Sequence, residues 1–191
     1  IDGSNTIRYK VVTTHDVLQI DLQPPLRILS VVQEGKELEI NQEGNAHFIK
    51  LFKEQVVGEY NEVIVSYGGI PREAMRPPWD GGITWKKDGN GLPFIASSCQ
   101  GIGASIWWPN KDHGYDEPDE GLQLNITSPH NLVAVGNGRL IETVDNGTTK
   151  TWRWEVISPI NNYGVNINIG DYVYFGEKYE DYILNGGFIE P

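Results

Sequence analysis

Apolar and polar residues alternate along most of this chain, and this alternation predicts β-strands. Leu18, Ile20 and Leu22, for example, are apolar positions two residues apart. Gln19 and Asp21 lie between them, so a strand through this segment has one apolar and one polar face. No long stretch keeps the i, i+3, i+4, i+7 apolar spacing of an amphipathic helix. The pattern therefore predicts an all-β fold.

Turns rich in glycine, asparagine and proline divide the alternating segments into short strands. The predicted strands are Thr6–Val12, Val17–Leu22, Leu26–Val32, Glu37–Asn41, Ala46–Phe52, Glu62–Tyr67, Gly121–Ser128, Leu132–Asn137, Gly138–Val144, Lys150–Ile157, Val165–Ile169 and Tyr172–Phe175. The strongest hairpin signal is Asn146-Gly147, because this dipeptide accepts positive φ. Short strands at this spacing favour a β-sandwich or a curled sheet.

Two segments interrupt the alternation. Residues 68–91 are dense in Gly, Pro, Trp and Asp, so we expect a long ordered loop there. Residues 101–112 are also irregular, and Ala104, Ile106, Trp107 and Trp108 are compatible with one helical turn, near residues 103–108, that Pro109 ends. We expect at most this one short turn of helix in the fold.

Length and charge narrow the classes of partner. With 191 residues the chain has room for about one domain. It carries 15 Lys and Arg against 26 Asp and Glu, a net charge of −11. A surface this acidic repels nucleic-acid phosphates and anionic lipid headgroups, so we expect neither as a partner. No apolar run is long enough to span a bilayer.

Familiar catalytic and metal-binding motifs are absent from the sequence. The four histidines, His15, His47, His113 and His130, are too far apart for H-E-x-x-H or another short zinc signature. The sequence also has no G-x-S-x-G elbow and no phosphate-binding P-loop. Cys99 has apolar neighbours, which favours a packed thiol over a nucleophile. We therefore expect no metal site and no catalytic residue in this chain.

Two features leave a binding function open. Trp79 and Trp85 lie in the irregular segment, where exposed aromatic faces stack well on sugar rings. The acidic stretch from Asp112 to Glu120 offers carboxylates that calcium could use, although it lacks the EF-hand spacing. The plainer interpretations are core packing for the tryptophans and a solvated loop for the carboxylates. A carbohydrate-binding β-sandwich is therefore the alternative function, and a structural interaction module without a ligand is a third.

An ordered set of motifs resembles the N-terminal domain of the zinc aminopeptidases that carry H-E-x-x-H, a family that includes alanyl aminopeptidases and leukotriene hydrolases. Phe94 to Gly101 is followed by Trp107 to Asp112, and Gln100, Pro109 and Asp112 keep the intervals of the family pattern. Further landmarks follow in the family order: residues 133–138, residues 158–163 and residues 170–172. The resemblance covers about residues 4–176.

This resemblance implies a saddle of curled β-sheets that packs on a thermolysin-like catalytic domain. It implies a domain over residues 1–176 that begins near the end of the family's first strand, and a tail over residues 177–191 that leads toward the catalytic domain. The catalytic zinc and the chemistry would belong to that domain, which lies outside this chain.

The resemblance also implies a role for Gln100, whose family counterpart contacts the free amino terminus of the peptide substrate. We expect Trp107 and Trp108 to contribute to the apolar face toward the catalytic domain. The sequence departs from the family pattern at Ser98, where Gln is frequent, and at residues 103–105, where Gly-Ala-Ser replaces Asp-Ala-Arg.

Overall fold

A computed structural model describes residues 1–175, 183–184 and 187–188, and over these residues the protein is all-β, as predicted. Two short 3-10 helices, η1 (Ala104–Ile106) and η2 (Asn162–Gly164), interrupt the strands, and only η1 lies where the sequence predicts a helical turn. The strands are β1 Asp2–Lys10, β2 Val17–Asp21, β3 Arg27–Gln33, β4 Lys36–Glu37, β5 Ile40–Glu43, β6 Ala46–Lys50, β7 Tyr60–Gly68, β8 Gly82–Lys87, β9 Pro93–Ser98, β10 Leu122–Pro129, β11 Val133–Gly136, β12 Arg139–Asp145, β13 Thr149–Val156, β14 Ile167–Gly170, β15 Ile183–Leu184 and β16 Gly187–Phe188.

Residues 1–68, which we name the first half of the chain, form two antiparallel sheets. Their strand orders are β1-β7-β3-β4 and β2-β6-β5. Alternate residues of the central strands, such as Val63 and Val65 on β7, are fully buried, as the period-2 pattern predicts. They pack in a first core cluster with residues of the other sheet, among them Ile20 and Ile49. The two sheets therefore bury their apolar faces against each other.

Residues 82–170, which we name the second half of the chain, form two further antiparallel sheets. Their orders are β11-β14-β9-β8 and β10-β13-β12. The predicted Asn146-Gly147 turn joins β12 to β13, with Asp145 opposite Lys150. A second core cluster lies here, and it includes Ile83, Trp107 and Val165. The buried η1 helix supplies part of this cluster.

A small joint cluster of Leu22, Leu26 and Tyr67 connects the two halves. Ile1, Ile28 and Trp108 pack against it while remaining partly accessible to solvent. Trp108 also packs against the second core cluster. The apolar interior is therefore continuous from one half of the chain to the other.

The structure differs from the sequence predictions at both ends of the second half. The predicted loop over residues 68–91 contains β8, which pairs with β9 from Gly82–Ser98 to Lys87–Pro93. Burial along β8 runs in two blocks, with its first three residues buried and its last three exposed, so no alternation marks it. Tyr172–Phe175 is not a strand. The tail over 177–191 lies outside the described residues, apart from β15 and β16.

Over the residues that the structure describes, no helix has the length and apolar character that crossing a bilayer requires.

Candidate functional site

Gln100 is exposed on the turn that follows β9. Its side-chain oxygen Oε1 accepts a hydrogen bond of 2.8 Å from the hydroxyl of Tyr163. Its backbone N–H points toward Ser98 Oγ at 3.4 Å. The carboxamide is therefore available at the surface, and one of its atoms is already held in place.

The bend after Gln100 is stabilised by a carboxylate at the N-terminus of η1. Asp112 accepts hydrogen bonds of 3.1 Å from the backbone N–H groups of both Ala104 and Ser105. The Ser105 hydroxyl donates to the same carboxylate. Gly103, at φ 87°, has no side chain, so the backbone can pass directly beside the Asp112 carboxylate. Asp112, one of the three residues that keep the family spacing, thus has a structural role. It accepts from N–H groups that the start of a helix leaves without partners.

The bend is also fastened to the first half of the chain. Gln23 Nε2 donates to the carbonyl of Ile102 at 2.6 Å and to Ser105 Oγ at 2.9 Å. Asp21 and Asn110 exchange two backbone hydrogen bonds, of 2.8 and 3.1 Å. Side-chain and backbone contacts therefore anchor the bend after Gln100 at several points.

A second loop, residues 75–80, lies beside Gln100, and we name it the Trp79 loop. Ser98 Oγ donates to the carbonyl of Pro78 at 3.0 Å, which joins this loop to the end of β9. Asp80 closes the loop by accepting from the Met75 backbone N–H at 2.7 Å and from Arg72 at 3.0 Å. These contacts, the Met75 N–H first, lower the pKa of Asp80. Met75 and Trp79 are left 79% and 81% exposed.

Trp107 and Trp108 lie mainly inside the domain. Trp107 is 6% exposed and belongs to the second core cluster. Trp108 is partly buried, with its ring centroid 5.7 Å from that of Trp107. Both rings therefore pack within this chain, whereas Met75 and Trp79 of the Trp79 loop are exposed.

Cys99 precedes Gln100 but is buried, 6% exposed and without a disulfide partner. Burial raises the pKa of its thiol to about 11, and the nearby Trp107 indole only partly opposes this effect. A thiol with so high a pKa is a poor nucleophile near neutral pH. The expectation of a packed thiol agrees with this position.

The acidic stretch from Asp112 to Glu120 does not gather its carboxylates around one point. Asp116 binds Lys111 and Asn162, each at 3.0 Å, while Glu120 pairs with Arg8 on β1. Within the described part of the chain, no three His, Cys, Asp or Glu side chains come together in a way that could hold a metal. The calcium site considered from the sequence is therefore not supported, because Asp112, Asp116 and Glu120 each bind a different partner.

Trp79 and Trp85, the residues suggested for sugar stacking, are both exposed, the second to 43%. They come from different elements, since Trp79 lies in a loop and Trp85 on β8. Sugar binding stays a prediction for these two side chains.

Sequence reasoning missed Tyr163 as a site residue. It belongs to a family landmark, but its contact with Gln100 spans 63 residues of chain. No local pattern marks such a contact.

These observations define an all-β domain of several antiparallel sheets that carries an exposed glutamine on a well-anchored bend. No protein-family model and no curated protein matches the sequence. Solved structures do match the fold. An M1 zinc metallopeptidase from Deinococcus radiodurans superposes with a TM-score of 0.72 at 18% identity, and the match covers 88% of this chain and 37% of that one.

Two related structures give the same result. A glutamate-to-alanine mutant of the M1 zinc metallopeptidase from Deinococcus radiodurans, bound to a Tyr-Ser-Ala substrate, matches with a TM-score of 0.71 at 19% identity. This match covers 88% of the present chain and 37% of the chain of the mutant enzyme. A two-domain M1 zinc metallopeptidase mutant bound to L-tryptophan matches with a TM-score of 0.72 at 19% identity, covering 88% and 38%. This chain thus has the fold of a segment of these enzymes and spans little more than a third of their length.

Proposed function

We propose that this chain is the non-catalytic N-terminal β domain of a zinc metallo-aminopeptidase and that Gln100 helps bind the amino terminus of the peptide substrate. The observation that carries the proposal is the exposed carboxamide of Gln100, on an anchored bend in a fold that superposes on M1 zinc metallopeptidases with a TM-score of 0.72. One such structure is bound to a Tyr-Ser-Ala substrate, which is a short peptide.

The chemistry of an amide suits this role. A carboxamide oxygen has two lone pairs, and the Tyr163 hydroxyl uses one of them, so an ammonium N–H can donate to the other. Because the amide is neutral, placing it in a partly dry cleft costs less than placing a carboxylate there. Gln100 would orient the substrate and would take no part in bond breaking.

The catalytic domain of the same protein is the proposed partner. We expect Trp107 and Trp108 to support its docking from beneath the surface, and the exposed Met75 and Trp79 to contribute apolar contact area. The zinc of such an enzyme would supply a metal-activated water. The described residues of this chain do not fit a zinc site, so its ligands would belong to the catalytic domain.

The test is a kinetic comparison in the full-length enzyme that contains this chain, with amino-acid anilides as substrates. Gln100→Ala is expected to lower kcat/KM about tenfold or more, because a hydrogen bond to a charged group contributes about 1.5–3 kcal/mol. Gln42→Ala removes an exposed amide whose partner is the nearby carbonyl of Gly44, and it serves as the matched control. Unchanged kcat and KM in Gln100→Ala would remove the assigned role.

A carbohydrate-binding module is the second candidate, favoured by the 81% exposure of Trp79. Exposed tryptophan faces stack on sugar rings, so glycan-array binding by this chain, lost in Trp79→Ala and Trp85→Ala, would support it. If no glycan on the array binds, the carbohydrate-binding candidate is wrong and the aminopeptidase proposal is the one that stays.

A further inference from the structure

The hydrogen bond between Tyr163 and Gln100 joins two separate loops at the surface. Tyr163 donates its hydroxyl proton to Gln100 Oε1 at 2.8 Å, and the two residues are 63 positions apart in sequence. Tyr163 lies in η2, and its side chain is 46% exposed. The phenol therefore reaches Gln100 across solvent-accessible space from another element of the fold.

The backbone that carries Tyr163 is fixed on both sides. Asn161 caps η2 by accepting from the Gly164 N–H at 2.8 Å. Asn162 is 3% exposed, and its amide donates to the carbonyl of Lys111 at 2.8 Å and to Asp116 at 3.0 Å.

On the far side of η2, Asn137 fixes the following residues. Its amide nitrogen donates to the carbonyl of Gly164 at 3.0 Å, and its oxygen accepts from the Asn166 N–H at 2.8 Å. Three asparagine side chains therefore hold the backbone of η2, which carries Tyr163.

Stability alone does not account for this contact. Both side chains are accessible to water, which competes for the same hydrogen-bonding groups, so the net gain in folding free energy is small. The effect on Gln100 itself is larger, because a long side chain on a turn otherwise samples several rotamers. A donor from a rigid neighbour selects the rotamers that keep the oxygen near η2.

We infer that Tyr163 is a positioning residue, which holds the carboxamide oxygen of Gln100 so that its second lone pair faces the amino terminus of the substrate. This inference rests on the proposed function and extends it to a residue from a different loop. The orientation matters because an ammonium group is attracted to the amide oxygen and repelled by the amide NH₂. Tyr163 acts through Gln100 and does not itself touch the reacting atoms.

A double-mutant cycle in the full-length enzyme tests the inference, with amino-acid anilides as substrates. Tyr163→Phe removes only the hydroxyl, and it is expected to raise KM about three- to tenfold while kcat changes less than twofold. In the Gln100→Ala background the same change is expected to have no further effect, since the group that it positions is gone. Gln100→Glu retains an oxygen acceptor and is expected to keep its sensitivity to Tyr163→Phe.

Tyr115→Phe is the matched control, because Tyr115 is 92% exposed and is expected to tolerate loss of its hydroxyl without a kinetic effect. Thermal melting of each variant separates folding from positioning. If Gln100→Ala is impaired and Tyr163→Phe is not, the inference is wrong and the proposed function stands. If the two effects simply add, Tyr163 has an independent structural role, and the inference is also overturned. If Gln100→Ala itself is unimpaired, the proposed function fails and this inference fails with it.

Discussion

At the scale of single residues, the bend that carries Gln100 depends on a close fit between Gly103 and Asp112. Gly103 has φ 87°, a conformation that costs a residue with a side chain about 1–2 kcal/mol. A Cβ at this position would also overlap with the Asp112 carboxylate. That carboxylate is held by the Ala104 and Ser105 N–H groups, so it cannot move aside without losing hydrogen bonds. A glycine here follows from both conditions.

Gly101 is the matched comparison for Gly103. It has a similar φ of 76°, but no atom lies within 4 Å of the place that a Cβ would occupy. Gly101→Ala is expected to destabilise the fold by about 1 kcal/mol through backbone conformation alone. Gly103→Ala is expected to cost at least about 1 kcal/mol more, because overpacking adds to the backbone strain. Urea denaturation of both variants measures the difference. Equal losses would contradict the fit described here.

At the scale of elements, strand β6 shows how a polar residue is accommodated in an apolar face. His47 and Ile49 both point inward, and His47 is 4% exposed. Desolvation lowers the pKa of His47 from its ordinary value of 6.5, although backbone contacts with Asn45 and Ile20 partly oppose the shift. The imidazole is therefore neutral in the folded chain at neutral pH.

This shift predicts a pH dependence of stability. As pH falls below about 6.5, the unfolded chain binds a proton on His47 before the folded chain does, so the free energy of unfolding decreases through this range. His47→Gln is expected to reduce the loss of stability between pH 7.5 and pH 5.5, as measured by urea denaturation. His15→Gln changes an exposed histidine and is expected to leave that loss unaltered. An identical pH profile for His47→Gln and the unmodified chain would disprove the prediction.

Elements also show where sequence patterns reach their limit. The segments around β2, β6, β7 and β10 are predictable because more and less exposed residues alternate along each of them. Strand β8 was missed because Gly82, Ile83 and Thr84 are all buried, while the three residues after them are exposed. Its position depends on pairing with β9, which a local pattern does not encode.

At the scale of the whole molecule, the joint cluster couples the two halves of the chain. Leu22, Leu26 and Tyr67 are buried between the first and second core clusters, and Trp108 packs on the same point from the second half. Hydrogen bonds from Gln23 to Ile102 and Ser105 cross at the same place. The bend that follows Gln100 is therefore held by contacts that both halves supply.

Truncation at this joint is expected to destabilise the whole chain. Leu22 is fully buried, so Leu22→Ala should lower the free energy of unfolding by about 2–5 kcal/mol. Leu29 is 63% exposed, and Leu29→Ala should change it by no more than about 0.5 kcal/mol. Equilibrium denaturation monitored by tryptophan fluorescence compares the two. A loss at Leu22 as small as that at Leu29 would show that the joint contributes little.

The same scale explains which site residues the sequence could indicate. Gln100, Pro109 and Asp112 lie within one short stretch, so their spacing along the sequence is enough to indicate the bend as a candidate site. The aromatic pair Trp107 and Trp108 also stood out, yet its position in the core depends on how the sheets pack around η1. Composition and spacing identify side chains with useful chemistry but do not tell which of them the packing leaves exposed.

Period, charge and turn chemistry act over a few residues, so the order of the amino acids is enough to indicate the all-β character, the acidic surface and the place of the irregular bend. The contacts of Tyr163 with Gln100 and of Glu120 with Arg8 span 63 and 112 residues, and they are visible only in the folded chain. Such contacts follow from the way two sheets bury their apolar faces, and burial is a property of the assembled chain.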